Sequence, residues 1–100
     1  MPTVLLTGIA GFIGFHLARR LGQEEYRILG IDNLNDYYNP RLKLARLKEL
    51  GISPASIRDN TEIQSRIYPG LRFLKLDLAE RKQVEQLFKK ETFLDRKSVV

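Results

Sequence analysis

Three glycines at every third position, Gly8, Gly11 and Gly14, stand where an apolar run gives way to a helical pattern, in "TVLLTGIAGFIGFHLARRL", residues 3 to 21. Val4 to Thr7 is short, continuous and mostly apolar, and Gly8 stops it, which predicts a buried strand. From Gly11 onward the period changes. Ile13, Leu17 and Leu21 fall at i, i+4 and i+8, a helical stripe, while Gly14 and Ala18 are small enough to let that helix lie close on a sheet. Gly22 is the expected stop. A strand that turns into a helix within so few residues is the opening of a β-α unit.

The rest of the chain repeats the alternation. "RILGID", residues 27 to 32, predicts a second strand ended by Asp32 and Asn33. In "NLNDYYNPRLKLARLKELG", Pro40 opens a helix and Gly51 closes it, with Leu44, Leu47 and Leu50 on one face. Between Gly51 and Gly70, "SIRDNTEIQSRI" reads as a short helix inside a long connection. "LRFLKLDL", residues 71 to 78, predicts a strand. "AERKQVEQLFKKE" predicts a helix with Val84, Leu87 and Phe88 inward and Asp77 near its positive end. "KSVV" at the end reads as the start of a further strand. Strands that alternate with helices in this way imply a parallel α/β sheet, the N-terminal part of a doubly wound, Rossmann-type fold that is incomplete at 100 residues.

The glycines suit a phosphate. In a tight strand-to-helix turn glycine takes backbone angles closed to other residues and lets a ligand reach the main chain. The helix start adds unpaired N–H groups and the positive end of its dipole, together a seat for a pyrophosphate. Gly8 would serve the turn, Gly11 the approach of the phosphate and Gly14 the contact of helix with strand. Asp32 follows the second strand 18 residues beyond Gly14, close to the ~20 expected of the acid that hydrogen-bonds an adenosine ribose. A carboxylate there repels the extra phosphate of NADP, so the cofactor expected is NAD.

Composition narrows the field further. With 43% hydrophobic and 29% charged residues the chain is an ordinary globular segment, and with no cysteine it offers neither a disulfide framework nor a thiol nucleophile. No apolar stretch is long enough to span a bilayer and the opening lacks the features of a signal peptide, so a cytoplasmic protein is expected, with no membrane partner. The net charge of +5 is dispersed. The lysines and arginines of "RLKLARLKEL" are not gathered on one face or interleaved with aromatics, which reads as a solvated helix surface and not a nucleic-acid contact. His16, alone inside the first helix, reads as a surface or packing residue.

"TGIAGFIG" resembles the T-G-x-x-G-F-I-G cofactor loop of the extended short-chain dehydrogenase/reductase family, which includes nucleotide-sugar epimerases and dehydratases. "DNLNDYYNPRLKLARLKEL" is similar to the segment after the second strand in its UDP-glucuronate 4-epimerase branch, and "LDLAERKQVEQLF" to the family's third strand and next helix. UDP-glucose 4-epimerases and sugar 4,6-dehydratases share the glycine loop and stay open as alternatives. The resemblance implies that Gly8, Gly11, Phe12, Ile13 and Gly14 line the pyrophosphate. It implies that Asp32 holds the adenosine ribose with Asn33, Asn35 and Asp36 nearby, and that Asp77 and Leu78 border the adenine. It also implies oxidation of a UDP-sugar at C4 through bound NAD and return of the hydride to the other face.

That chemistry uses a Tyr-x-x-x-Lys pair, and the chain has none. Four residues after Tyr26, Tyr37, Tyr38 and Tyr68 stand Gly30, Arg41, Leu42 and Arg72. The expectation is therefore an N-terminal portion of an NAD-binding domain, without the substrate domain and without catalytic residues, which binds NAD weakly and turns nothing over. A chain of this extent is also expected to be marginally stable or to self-associate. The other function class left open is a non-catalytic dinucleotide-binding or redox-sensing module.

Overall fold

A computed structural model describes residues 3–34 and 40–90. Strand β1 (Val4–Thr7) leads through the glycine turn into helix α1 (Phe12–Gln23), followed by strand β2 (Ile28–Asp32) and helix α2 (Pro40–Glu49). A 3-10 turn at Pro54–Ser56, strand β3 (Glu62–Gln64), strand β4 (Leu71–Lys75) and helix α3 (Arg81–Lys90) complete the described chain. "KSVV", expected as a further strand, lies outside the described residues.

The sheet order is β1-β2-β4-β3. β2 runs parallel to β1, with Thr7 opposite Ile31, and parallel to β4, with Gly30 opposite Phe73. β3 is antiparallel to β4, pairing Ile63 with Phe73, so the sheet is mixed and mostly parallel. Alternate residues of each strand face opposite sides, and both sides are covered. On one side Leu6, Ile28, Leu71 and Phe73 join Phe15 and Ala18 of α1, Leu47 of α2 and Leu50 just after it. On the other, Leu5, Leu29, Ile31 and Leu74 meet Leu87 and Val84 of α3. Two helices on one face and the third on the other is the layering of the doubly wound class.

Four expectations need correction. The helix expected within "SIRDNTEIQSRI" is instead the edge strand β3, preceded by the 3-10 turn. Ile63 packs inward on the core, Glu62 pairs with Arg72 of the adjacent strand, and the alternation of that short stretch is that of a strand. Ile13 is not on the buried stripe of α1. It is 77% exposed, and the buried residues are Gly14, Phe15, Ala18 and Gly22, with Leu17 and Leu21 at the margin. Phe88 of α3, expected inward, is largely exposed.

Gly22 does not end α1. It sits inside the helix because Tyr68 lies against it, and a Cβ there would come within 2.9 Å of the ring. The end is made by Glu25 at φ 63°, with Glu25 N–H bonded to Gly22 C=O and Tyr26 N–H to Leu21 C=O. That pair of bonds is a Schellman motif, in which the left-handed position ordinarily belongs to glycine. α2 ends the same way with glycine in place: Gly51, at φ 83°, bonds Lys48 C=O while Ile52 bonds Leu47 C=O. Exposed Glu25 therefore carries left-handed strain that Gly51 does not. Glu25→Gly is expected to stabilise the chain by about 0.5–1 kcal/mol, the relief of strain exceeding the extra freedom of the unfolded chain. Thermal unfolding of the two proteins checks it.

The β3 edge is pinned by charge. Glu62 Oε1 lies 2.6 Å from Arg72 Nη1 and Oε2 lies 2.7 Å from Lys90 Nζ. The Lys90 hydrogen bond foremost, with Arg72 beside it, holds the Glu62 carboxyl below its ordinary range, against the opposing effect of partial burial. A lowered folded-state value means the pair stabilises the fold above the unfolded value and loses that contribution as pH falls through the folded one. Acid titration of stability should thus show a loss as pH falls through the lowered folded value, one that is smaller in Glu62→Gln, and smaller in high salt because Lys90 is exposed.

Candidate functional site

The C-terminal ends of β1, β2 and β4 form one rim, where ligands of open parallel sheets are bound. At its centre is the glycine turn. Gly8 adopts φ +66°, a left-handed angle that allows the chain to reverse, and Gly11 N–H bonds Gly8 C=O at 2.9 Å. Gly11 is extended and forms no side-chain cap, so the leading N–H groups of α1, at Phe12, Ile13 and Gly14, receive nothing from a capping side chain. Gly14 crosses the turn at close range: a Cβ there would lie 2.2 Å from the Gly8 carbonyl oxygen. At Gly11 the same construction gives 3.2 Å to that oxygen. The three glycines thus have three distinct structural roles: left-handed turn, helix lead-in and backbone contact.

Asp32 ends β2 and locks the turn. Only 5% exposed, its Oδ2 accepts the N–H of Ala10 at 3.0 Å and its Oδ1 accepts the N–H of Leu34 at 2.8 Å. Lys43, from the first half of α2, donates to Oδ1 at 3.2 Å. Ala10 is held from the other side too, since Arg46 Nη1 donates to its carbonyl oxygen at 3.1 Å. A buried carboxylate with backbone N–H and ammonium partners is a well-satisfied anion. Asp32 consequently shapes the loop as well as facing the rim.

Two depressions meet at the turn. The first, a groove of about 250 Å³, is lined by Asp32, Asn33, Lys43, Leu76, Asp77 and Leu78 together with Thr7, Gly8 and Gly11. The second, on the far side of the turn and more apolar, is lined by Leu6, Phe12, Ile13, Gly14 and Leu17, again with Thr7, Gly8 and Gly11. The first brings together Gly8, Gly11, Asp32, Asn33, Asp77 and Leu78 of the expected site, and the second Phe12, Ile13 and Gly14. Asn35 and Asp36 lie outside the described residues. Asp77 takes a local role at the groove wall, its Oδ1 accepting Ala79 N–H at 2.9 Å just before α3. Another depression, between β3 and α3, is bordered by Asn60, Glu62, Gln83, Gln86 and Lys90, and it has neither a glycine turn nor a helix start.

Thr7, Lys43 and Arg46 are the residues that sequence reasoning passed over. The α2 cations were read as a solvated surface, yet Lys43 and Arg46, three apart and so on one helix face, both turn to the loop. Their signal in the sequence is that spacing alone, which carries meaning only once the loop is known to lie beneath them. His16 stacks edge-on with Phe12 and Phe15 at centroid distances of 4.8 and 5.1 Å, a packing role. Among the described residues no helix is long and apolar enough to cross a membrane.

Comparison with known proteins agrees with this architecture. The chain is 44% identical over 84 residues to an uncharacterized 37.6 kDa protein of Escherichia coli O111:H-, a match covering 84% of this chain and 20% of that protein. It is 52% identical over 50 residues to a UDP-glucuronate 4-epimerase of Thermodesulfobacterium geofontis, covering 50% of this chain and 16% of that one. To UDP-glucuronate 4-epimerase 4 of Arabidopsis thaliana it is 52% identical over 44 residues, covering 44% and 10%. The chain thus spans about a fifth or less of the length of these relatives. A family model matches residues 4–95, nearly the whole chain, and with that match this protein belongs to the NAD dependent epimerase/dehydratase family.

Proposed function

We propose that the chain is the NAD-seating portion of a nucleotide-sugar epimerase of the UDP-glucuronate 4-epimerase type. The pyrophosphate lies on the N–H groups of Phe12, Ile13 and Gly14, the adenosine occupies the groove between Asp32 and Leu78, and the nicotinamide half extends over the apolar depression beyond the turn. The observation that carries the reading is the junction itself. A left-handed Gly8, an uncapped helix start at Gly11 and a buried Asp32 bonded to Ala10 in the same turn support a dinucleotide seat here. The named epimerases at about half identity support the branch.

Bound NAD would supply the hydride acceptor and donor for oxidation and re-reduction at sugar C4. The role of these residues is to hold the dinucleotide and fix its direction across the rim. In this reading the described residues form the N-terminal part of an NAD-binding domain, and the Tyr-x-x-x-Lys pair that such an enzyme uses is not among residues 1–100. Translation of the DNA after the Val100 codon, followed by an assay of the whole gene product on UDP-glucuronate, tests it. A Tyr-x-x-x-Lys sequence with C4 epimerisation is expected. A product without that motif and without turnover, yet still binding NAD, would leave a dinucleotide-binding module in place of an enzyme.

A further inference from the structure

We propose that Arg46 of α2 is a positioning residue for the anion seat: by gripping the residues on either side of Gly11 it fixes the peptide that leads into α1. It thereby sets the direction of the N–H groups at Phe12, Ile13 and Gly14. The inference rests on the pyrophosphate placement proposed above and starts from what Gly11 lacks. Having no side chain, Gly11 cannot cap the helix it precedes, so the lead-in has to be held from outside the loop. The Ala10–Gly11 peptide is the loose joint. Its flip changes only Ala10 ψ and Gly11 φ, and glycine accepts either sign of φ.

Arg46 closes that joint. Its Nη1 donates to the Ala10 carbonyl oxygen at 3.1 Å, while at the other end of the same peptide Gly11 N–H bonds Gly8 C=O at 2.9 Å. A flip breaks both bonds together. The guanidinium also stands 5.9 Å from the centroid of the largely exposed Phe12 ring, which meets His16 edge-on at 4.8 Å. One side chain thus holds the residue before Gly11 by a charge-assisted hydrogen bond and the residue after it by a cation–π contact. Asp32 does not duplicate this, since it accepts Ala10 N–H, which belongs to the preceding peptide. Without Arg46 the flip is opposed at this peptide by the Gly11–Gly8 bond, and a flipped carbonyl turns away from α2. The first turn of α1 then loses its fixed lead-in.

Arg46→Met removes both contacts with little change in side-chain length or helix propensity, whereas Arg46→Lys keeps a charged donor. Circular dichroism of both should match wild type. In the ligand-free chain, amide hydrogen exchange at Gly11 is expected to quicken about ten- to a hundredfold in Arg46→Met, the equivalent of one hydrogen bond to a charged group, with Leu29 and Phe73 in the sheet unchanged. Binding followed by nuclear magnetic resonance should track the phosphates: Arg46→Met weakens ADP and NAD about tenfold and adenosine less than about twofold, and Arg46→Lys recovers most of the loss. Unchanged exchange at Gly11 in Arg46→Met would overturn the inference alone. Equal weakening of adenosine and ADP would also overturn it, since Arg46 would then support the fold and not the seat. A folded wild type that binds ADP no more tightly than adenosine would overturn the pyrophosphate placement itself, and the positioning role with it.

Discussion

Gly14→Ala is expected to cost about 3 kcal/mol of stability, the upper range for overpacking, and to abolish dinucleotide binding. The added Cβ would lie 2.2 Å from the Gly8 carbonyl oxygen, 2.9 Å from the Gly8 carbonyl carbon and 3.1 Å from Ile9 Cα. All three are backbone atoms, so no change of rotamer relieves the contact. Helix α1 would have to lift from β1, taking the buried Phe15 and Ala18 out of the core. The neighbouring glycines should respond differently. Alanine at Gly8 meets nothing within 4 Å but must hold φ +66°, a strain of about 1–2 kcal/mol. Alanine at Gly11 faces a single 3.2 Å contact, which a shift of a few tenths of an ångström relieves. Urea unfolding of the three variants should therefore rank them Gly14, Gly8, Gly11 from most to least damaging.

Phe73→Ala should be more damaging still to the fold, at about 3–5 kcal/mol. Phe73 is fully buried at the middle of β4, paired with Gly30 on one side and Ile63 on the other. Gly30 carries no side chain on that face and Ile9 fills the space over it: a Cβ at Gly30 would stand 2.1 Å from Ile9 Cδ1. Ile9 and Phe73 both belong to the core beneath the two helices, so truncating Phe73 opens a cavity where the sheet is already without a side chain. Against a total of about 5–15 kcal/mol for a domain, such a loss leaves a large unfolded fraction. Denaturant unfolding read by circular dichroism measures it. Leu87→Ala, on the opposite face and 6% exposed, should cost less.

The strand-turn-helix opening was legible because the period of the apolar residues changes at the glycines, and an abrupt change of period has few structural solutions. The same was true of β2, of α2 with Gly51 at its end, and of β4. What failed was finer. The stripe Ile13, Leu17, Leu21 has helical spacing, but the first turn of α1 overhangs the end of β1, so no sheet lies under Ile13 and the buried face falls on Gly14, Ala18 and Gly22. Gly22 resembled a stop because glycine usually marks one, whereas here the glycine makes room for Tyr68 and a glutamate takes the left-handed position. β3 was hidden by its three-residue length, too short for a period to show. In the site, the glycines and Asp32 could be read from spacing, but the burial of Asp32 under Ala10, Leu34 and Lys43 could not, since those contacts join residues up to 22 apart in the chain. The β1 edge has a partner on one side only among the described residues, and an unpaired edge of a largely buried strand favours association.

The most direct test of the cofactor seat is to follow the backbone amides of the folded, isotope-labelled chain by nuclear magnetic resonance as NAD is added. The account predicts saturable shifts concentrated at Gly11, Phe12, Ile13 and Gly14, with further shifts at Asp32, Asn33, Asp77 and Leu78 along the groove. Amides that stay still throughout the titration, or that move only between β3 and α3, would contradict it.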